Sequence, residues 1–334
     1  MPRSKSKILV TGGAGFIGSE FVRQAVKKGQ KIVVLDKLTY AGDIKRLEGI
    51  KGKYAFYKTD ICQKEKLEAA IKKERPQTIV HFAAETHVDR SIQDALPFIH
   101  TNVTGTQNLI DLSRKYKVKK FFHISTDEVY GESRRGKFLE TAELKPKNPY
   151  SATKAAAELL VHAAIQTYHF PAVIIRPSNN YGPWQYPEKL VPVVILKALK
   201  NRKVPVYGIG KQIREWLHVR DCAEAIHFIL KKGKVGEIYN IGTYFESENL
   251  VTVKRILKLL QKPNRLIEFV ADRPGHDFRY SVDCSKIHRL GWKPKIQFAG
   301  GIKDTVQWYS AHLNWMEQKL DLLERYWKSV YNEK

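Results

Sequence analysis

Two short stretches carry the residue types of acid–base chemistry. In "STDEVYG" (125–131) two hydroxyls, Ser125 and Thr126, precede two adjacent carboxylates, Asp127 and Glu128. In "YSATK" (150–154) Tyr150 and Lys154 stand one helical turn apart and so share a face. An ammonium beside a phenol favours the phenolate and makes a general base of it. Three other pairs share this spacing, Tyr54/Lys58, Tyr116/Lys120 and Tyr207/Lys211, but they fall in a strand, a charged helix end and a glycine loop. Only Tyr150 opens a helix after an Asn-Pro dipeptide. The carboxylates follow the apolar run "KKFFHIS" (119–125), so they stand where a buried strand ends. Neighbours on a strand point to opposite faces, so both can reach one site only if a turn begins at Thr126.

The elements that must position these groups alternate along the first half of the chain. Apolar runs at 7–12, 31–36, 54–60, 78–84, 119–125 and 171–177 predict strands. Helical patterns at 17–29, near 64–74, over about 93–116 and over about 150–168 separate them. This alternation predicts an α/β fold, a Rossmann-type doubly wound parallel sheet covered on both faces, with a smaller mixed α/β lobe for substrate. Beyond Pro177 the chain becomes rich in Pro, Gly and aromatics. The expected division is 1–177 for the sheet domain, with 216–243 returning to it, and 178–215 plus 244–334 for the second lobe. The segment 216–230 reads as a helix and 236–242 as a strand.

"VTGGAGFIGS" sets Gly12, Gly15 and Gly18 between the first strand and the helix that follows. Such a turn lets backbone N–H groups approach a pyrophosphate at the helix N-terminus. The spacing is G-x-x-G-x-x-G, and Asp36 ends the next strand, where a carboxylate accepts from both ribose hydroxyls and repels a 2′-phosphate. NAD is therefore the expected cofactor, with Gly12, Gly15, Phe16, Ile17, Gly18, Asp36, Lys37, Asp60, Ile61, Ala83, Ala84, Tyr150 and Lys154 as its candidate contacts. Asp60 suits either an adenine contact or a helix N-cap.

Composition narrows the classes. The 334 residues are 43% hydrophobic and 11% aromatic, ordinary for a globular chain, and no apolar run is long enough to cross a bilayer. The basic N-terminus leads straight into a strand, against a secretory signal. Cys62, Cys222 and Cys284 match no zinc spacing, so no metal site is expected, and a reducing, cytoplasmic setting is. The net charge of +24 is spread through helical polar stretches rather than gathered in a tail. It reads as a solvated surface, and no nucleic-acid-binding signature accompanies it.

With the glycine loop, "STDEVYG" and "YSATK" in this order, the chain resembles the extended short-chain dehydrogenase/reductase family. The second half, through "RPSNNYGPWQYPEKLVP" (176–192), "VPVYGIGKQIREWLHVRD" (204–221), "GEIYNIG" and "DRPGHDFRYSVD" (272–283), is similar to its nucleotide-sugar branch, the dTDP-glucose 4,6-dehydratases. The resemblance spans about 7–310. It implies a homodimer built on two long helices, here about 93–116 and 150–168, and a redox-neutral reaction. NAD oxidises the sugar C4 hydroxyl, water leaves across C5 and C6, and the hydride returns to C6.

The resemblance also implies roles. Thr126 bonds the C4 oxygen while Tyr150, aided by Lys154, takes its proton. Glu128 is the base at C5 and Asp127 the acid at the C6 hydroxyl. Asp127 must then keep its proton near neutral pH, as burial beside a second carboxylate allows. Thr86, Asn180, Glu188, Lys189, Leu190, Tyr207, Arg214, Asn249, Arg273 and His276 match positions that contact the nucleotide sugar, the two arginines at the diphosphate. A short segment between Gly131 and Tyr150 departs from the usual pattern in a way that would open the site or alter sugar selection, and Phe245 in place of Asn, Glu215 in place of Asp and His218 in place of Tyr bear on dTDP against UDP.

Alternatives remain at this point. One is a UDP-glucose 4,6-dehydratase. Others are a nucleotide-sugar 4-epimerase, which lacks the acid pair, and a UDP-glucuronate decarboxylase, which carries serine where Asp127 stands. A non-enzymatic NAD-binding scaffold would not need all five of Thr126, Asp127, Glu128, Tyr150 and Lys154, and a basic RNA-binding protein would show strongly salt-dependent affinity.

Overall fold

A computed structural model describes residues 6–331; residues 1–5 and 332–334, which the expected lobes include, lie outside it. Its main sheet is built from β1 (Lys7–Thr11), β2 (Lys31–Asp36), β3 (Tyr54–Lys58), β4 (Thr78–His81), β5 (Lys120–Ile124) and β6 (Ala172–Pro177). β7 (Asn179–Tyr181), β8 (Val204–Tyr207) and β9 (Ile213–His218) leave this sheet, and β10 (Ile238–Ile241) rejoins it. The resulting order is β10-β6-β5-β4-β1-β2-β3, seven strands, every pairing parallel. Parallel strands need crossovers, and the helices that supply them cover both faces, which is why the strands are apolar on both sides. Ile8 and Val10 enter one core while Leu9 between them enters the core on the opposite face.

Two small sheets complete the fold. β11 (Glu246–Glu248), β9 and β7 form one, and β12 (Ile267–Val270) pairs with β8 in the other. A separate apolar cluster gathers the helix Leu190–Leu199, Val253, Ile256 and Leu257, Phe298, and Trp315, Tyr326 and Trp327 near the C-terminus.

Two expectations change. The helix of 216–230 begins only at Val219, because Ile213–His218 is strand, with the His218 ring accepting from Arg220 N as the cap. The long helix of 93–116 is interrupted. A helix Val88–Gln93 ends at the extended Asp94, Ile99–Thr104 is π-helical, and regular α-helix runs only over Gly105–Lys115. Pro97, at the start of a new turn, has no N–H to continue the earlier ladder.

One buried network ties the elements beneath the site. Arg176 on β6 grips Glu158 of the helix Pro149–Tyr168 with Nε and Nη2, and donates from Nη1 to the Tyr130 hydroxyl and the Glu140 carbonyl. The Tyr130 hydroxyl donates in turn to Asn240 on β10 at 2.8 Å. Both charges are almost wholly buried, so each depends on the other for compensation. Arg176→Met therefore strands a buried carboxylate. It is expected to lower unfolding stability by roughly 3–5 kcal/mol in urea titrations, and the double variant with Glu158→Met to recover most of that loss.

Candidate active site

β5 ends at Ile124 and a single 3₁₀ turn, Asp127–Tyr130, follows immediately. Thr126 caps this turn, accepting from Glu128 N at 3.3 Å and donating to Asp127 Oδ1 at 3.2 Å. The turn brings both carboxylates to the carboxyl edge of the sheet and into one cavity. Tyr150 stands beside them in the first turn of its helix, which Asn148 opens by accepting from Ser151 N. The Tyr150 amide donates to Ser91 Oγ at 3.0 Å, fixing where that turn begins.

The two carboxylates differ in surroundings. Burial drives the Asp127 pKa well above its ordinary value, and the charges of Glu128 and Glu215 push the same way. Its Oδ2 is buried with no hydrogen-bond partner among the described residues. Burial raises Glu128 too, but Arg273, Lys189 and Arg214 pull against it, and the Tyr280 hydroxyl lies 3.4 Å from its Oε2. Burial and Glu128 also raise the Tyr150 phenol, opposite to the direction expected from Lys154. The reason is geometric. The Lys154 ammonium runs under the strand end and donates to the Ile124 carbonyl at 2.6 Å, and burial lowers its pKa to about 8.

The glycine turn, the ends of β2, β3 and β4 and the acid pair line a cavity of about 280 Å³. Gly12, Gly15, Phe16, Ile17, Gly18, Asp36, Lys37, Asp60, Ile61, Ala83 and Ala84 all face it. Gly12 has φ +68°, and a Cβ there would fall 2.6 Å from Ala83 N, while one on Gly18 would overlap the Gly12 carbonyl. Asp36 accepts from Ala14 N at 2.9 Å and Leu38 N at 2.8 Å, which fixes its carboxylate at the cavity wall. Lys37 lies 3.3 Å from Glu85 and 3.6 Å from Asp60, so acids already surround its charge. Asp60 is not a helix cap. It accepts from Cys62 N two residues on, and the helix starts later, after Gln63.

A second cavity of about 170 Å³ adjoins the first, sharing Glu128, Asn179, Asn180, Gln185, Glu188 and Lys189 as common wall. Leu190, Tyr207, Arg214, Asn249, Arg273 and His276 line it, and Thr86 lines the first cavity, its carbonyl accepting from Lys189 Nζ at 2.8 Å. Glu188 accepts from Tyr40 OH and Arg90 Nε, both at 3.0 Å. Arg214 is held by the Ile213 and Asp277 carbonyls at 2.8 and 2.9 Å beneath the Tyr280 ring. His276 meets Asp272 at 2.5 Å, and burial lowers its pKa to about 4.

A family model described as GDP-mannose 4,6 dehydratase matches residues 9–305. The dTDP-glucose 4,6-dehydratase of Neisseria meningitidis serogroup B is 46% identical over 341 residues, covering 94% of this chain and 96% of that protein. That of Neisseria gonorrhoeae is 48% identical, covering 91% of this chain and 96% of its relative. The chain belongs to the dTDP-glucose 4,6-dehydratase family. Among solved members, the Streptomyces venezuelae enzyme with NAD bound superposes with a TM-score of 0.92 at 42% identity, covering 94% of this chain and 99% of that one. A Thermus thermophilus UDP-glucose 4-epimerase, in complex with NAD, superposes at 0.86 with 32% identity, covering 91% of this chain and 99% of its own.

The departures from the family's pattern lie off the cavities. Phe245 stacks on Phe298 at 4.6 Å, and the His218 ring packs edge-on against Tyr181 at 5.2 Å. The short segment after Gly131 closes on 279–283 instead of covering the site, with Phe138 N donating to the Ser281 carbonyl at 3.0 Å and Asp283 N to the Phe138 carbonyl at 2.8 Å. Tyr280, inside "DRPGHDFRYSVD", and Asp89 and Arg90, a few residues beyond Thr86, also line or support the cavities, and no local pattern marks them. Asp89 joins Tyr207 at 3.2 Å to Arg273 at 3.3 Å, and a carboxylate followed by arginine in a polar run gives no sign of such distant partners.

Asp127 offers a sign-specific test. Its native pKa is raised, so between the unfolded value near 4 and the raised one the native state holds the extra proton. Stability therefore falls as pH climbs through that window and stays reduced above it. Asp127→Asn is neutral throughout and keeps the acceptor for Thr126. Thermal melts of variant and parent are expected to converge at and below about pH 4, with the variant gaining as pH climbs from there until the raised pKa is passed; a gap independent of pH would contradict the raised pKa.

Proposed function

We propose that the chain is an NAD-dependent dTDP-glucose 4,6-dehydratase, a hydro-lyase that forms a 4-keto-6-deoxy sugar nucleotide. Relatives of this name at 46–48% identity over nearly the whole chain support the reading. The observation that carries it is the unequal environment of Asp127 and Glu128. An epimerase needs a tyrosine and a hydride acceptor. Elimination of water also needs an acid and a base, held at different pKa values over one substrate.

The first cavity suits NAD. The turn at Gly12–Gly18 exposes backbone where a Cβ would intrude, which fits a pyrophosphate, and the fixed Asp36 carboxylate fits two ribose hydroxyls while repelling a 2′-phosphate. Bound NAD supplies the hydride acceptor for C4 and the donor for C6. Thr126 and Tyr150 hold the C4 oxygen; the positive nicotinamide of bound NAD would oppose the burial that raises the phenol and let Tyr150 take the C4 proton as phenolate. Lys154, anchored by the Ile124 carbonyl, places positive charge behind the phenol. Glu128, flanked by three cations, gives up its proton more readily than Asp127, removes the acidified C5 proton and returns it to C5 when hydride adds at C6. Asp127, kept protonated by burial and by neighbouring acids, delivers its proton to the departing C6 hydroxyl.

Arg214 and Arg273 face the diphosphate, with Asn180, Tyr207, Asn249 and His276 along the rest of the second cavity. Glu188, Lys189 and Leu190 frame the nucleotide from the shared wall, and Thr86 contacts the sugar. A homodimer is supported by Leu96 and Ile99, exposed beside the helix that also exposes Leu159. Three free cysteines accord with a reducing cytoplasm.

The purified protein is expected to convert dTDP-glucose, and UDP-glucose more slowly, to a product with the alkali-induced absorbance of a ketone, without added reductant. No signal from either substrate removes the proposal. Asp127→Asn and Glu128→Gln should each slow product formation roughly 100- to 10 000-fold, while substrate still generates reduced-cofactor absorbance. Loss of NAD binding in either variant would show that the roles are misassigned.

A further inference from the structure

The family match ends at residue 305, yet the chain beyond it returns to the binding site. Two helices, Leu313–Glu317 and Leu320–Tyr331, bury Trp315, Met316, Leu323, Tyr326 and Trp327 in the second apolar core. At one end Trp315 Nε1 and Lys319 Nζ donate to Asp43 Oδ2 at 2.9 and 2.8 Å, in the segment that follows β2. At the other end the Tyr326 hydroxyl donates to Asp89 Oδ2 at 3.1 Å and lies 3.3 Å from His87 Nδ1. Tyr326 does not line the second cavity; Asp89 does.

Asp89 is a buried carboxylate with several partners. Its Oδ1 meets Arg273 Nη1 at 3.3 Å, and its Oδ2 accepts from Tyr207 at 3.2 Å as well as from Tyr326. Burial works to raise its pKa, but His87, Arg273 and the two hydroxyls outweigh burial and hold it below the usual range. Arg273 is thus turned by a single carboxylate oxygen, with its buried Nε left without a protein partner among the described residues. That edge of the guanidinium suits a paired phosphate oxygen. The Tyr326 ring itself is packed beneath the Arg90 guanidinium, 4.5 Å away, so phenylalanine would fill the same space. Its hydroxyl, by contrast, serves the orientation of Asp89.

We propose that Tyr326 is a positioning residue for nucleotide-sugar binding: by fixing the Asp89 carboxylate it sets Arg273 at the diphosphate and Tyr207 in the wall beside it. The C-terminal helix is thereby part of the substrate site without touching substrate. This inference rests on the reading of the second cavity as the nucleoside-diphosphate site. Losing the Tyr326 hydroxyl frees Asp89 to draw Arg273 inward, away from the ligand.

The test is calorimetric titration of the NAD-loaded protein with dTDP, together with steady-state kinetics. Tyr326→Phe is expected to weaken dTDP binding and raise KM about tenfold, the scale of one hydrogen bond to a charged group, with kcat within about twofold. Leu323→Val, on the same helix and away from Asp89, controls for loosened packing and should lower the melting temperature with unchanged dTDP affinity. In an Asp89→Asn background, Tyr326→Phe should add little further. Parent-like binding by Tyr326→Phe, or equal weakening by Leu323→Val, overturns the inference. If the parent itself binds no dTDP, it is the reading of the cavity that fails.

Discussion

The buried pair of Arg176 and Glu158 is the constraint on which the site depends. A parallel sheet places the ends of β4, β5 and β6 side by side, but it does not fix the rotation of a helix lying across them. Arg176 does so. Its fork holds Glu158, two turns beyond Tyr150, while Nη1 reaches Tyr130 at the close of the turn that carries Asp127 and Glu128. One guanidinium therefore spaces the tyrosine helix from the acid turn. Arginine suits this place because its planar fork satisfies two oxygens and still has a donor for a third partner.

Given that spacing, electrostatics separate two chemically similar neighbours. Asp127 and Glu128 are adjacent in sequence and leave the same strand, yet the 3₁₀ turn sends them into different company. Asp127 faces inward among carboxylates, and Glu128 faces the wall that bears Arg273, Lys189 and Arg214. The chain beyond β6 thus supplies charge as well as contacts. Its cations bring Glu128 back toward ionisation, and in doing so leave a negative neighbour that holds the proton on Asp127.

Much of this was legible in the residues. Strand ends, the glycine turn, Asp36 and the need for a turn at Thr126 all follow from local pattern, because a parallel sheet imposes its periodicity on the sequence that forms it. The break near 94–98 was marked by Pro97, against which the reading of one helix over 93–116 ran, whereas nothing local marks the π-helical turn Ile99–Thr104. Nor was the direction of the Tyr150 shift legible. Four-residue spacing puts Lys154 on the same face, but whether its ammonium meets the phenol or the Ile124 carbonyl depends on a strand end 30 residues upstream. Asp89 illustrates the same limit, as its partners stand 118, 184 and 237 residues away.

The substitution at Glu215 shows how a departure from the family's pattern is absorbed. Its buried carboxylate accepts from Thr243 N at 2.6 Å, Tyr244 N at 3.0 Å and Val282 N at 3.4 Å, joining the turn after β10 to the 279–283 segment. Glutamate is a methylene longer than aspartate, and the space for that extra length lies over Gly242, where any Cβ would overlap the carboxylate. Three backbone donors satisfy its lone pairs, so its charge is partly balanced by peptide dipoles even as burial raises its pKa. It still adds negative potential at Asp127. A residue recruited to stitch two loops therefore also helps keep Asp127 protonated, and glycine at 242 is the condition for both.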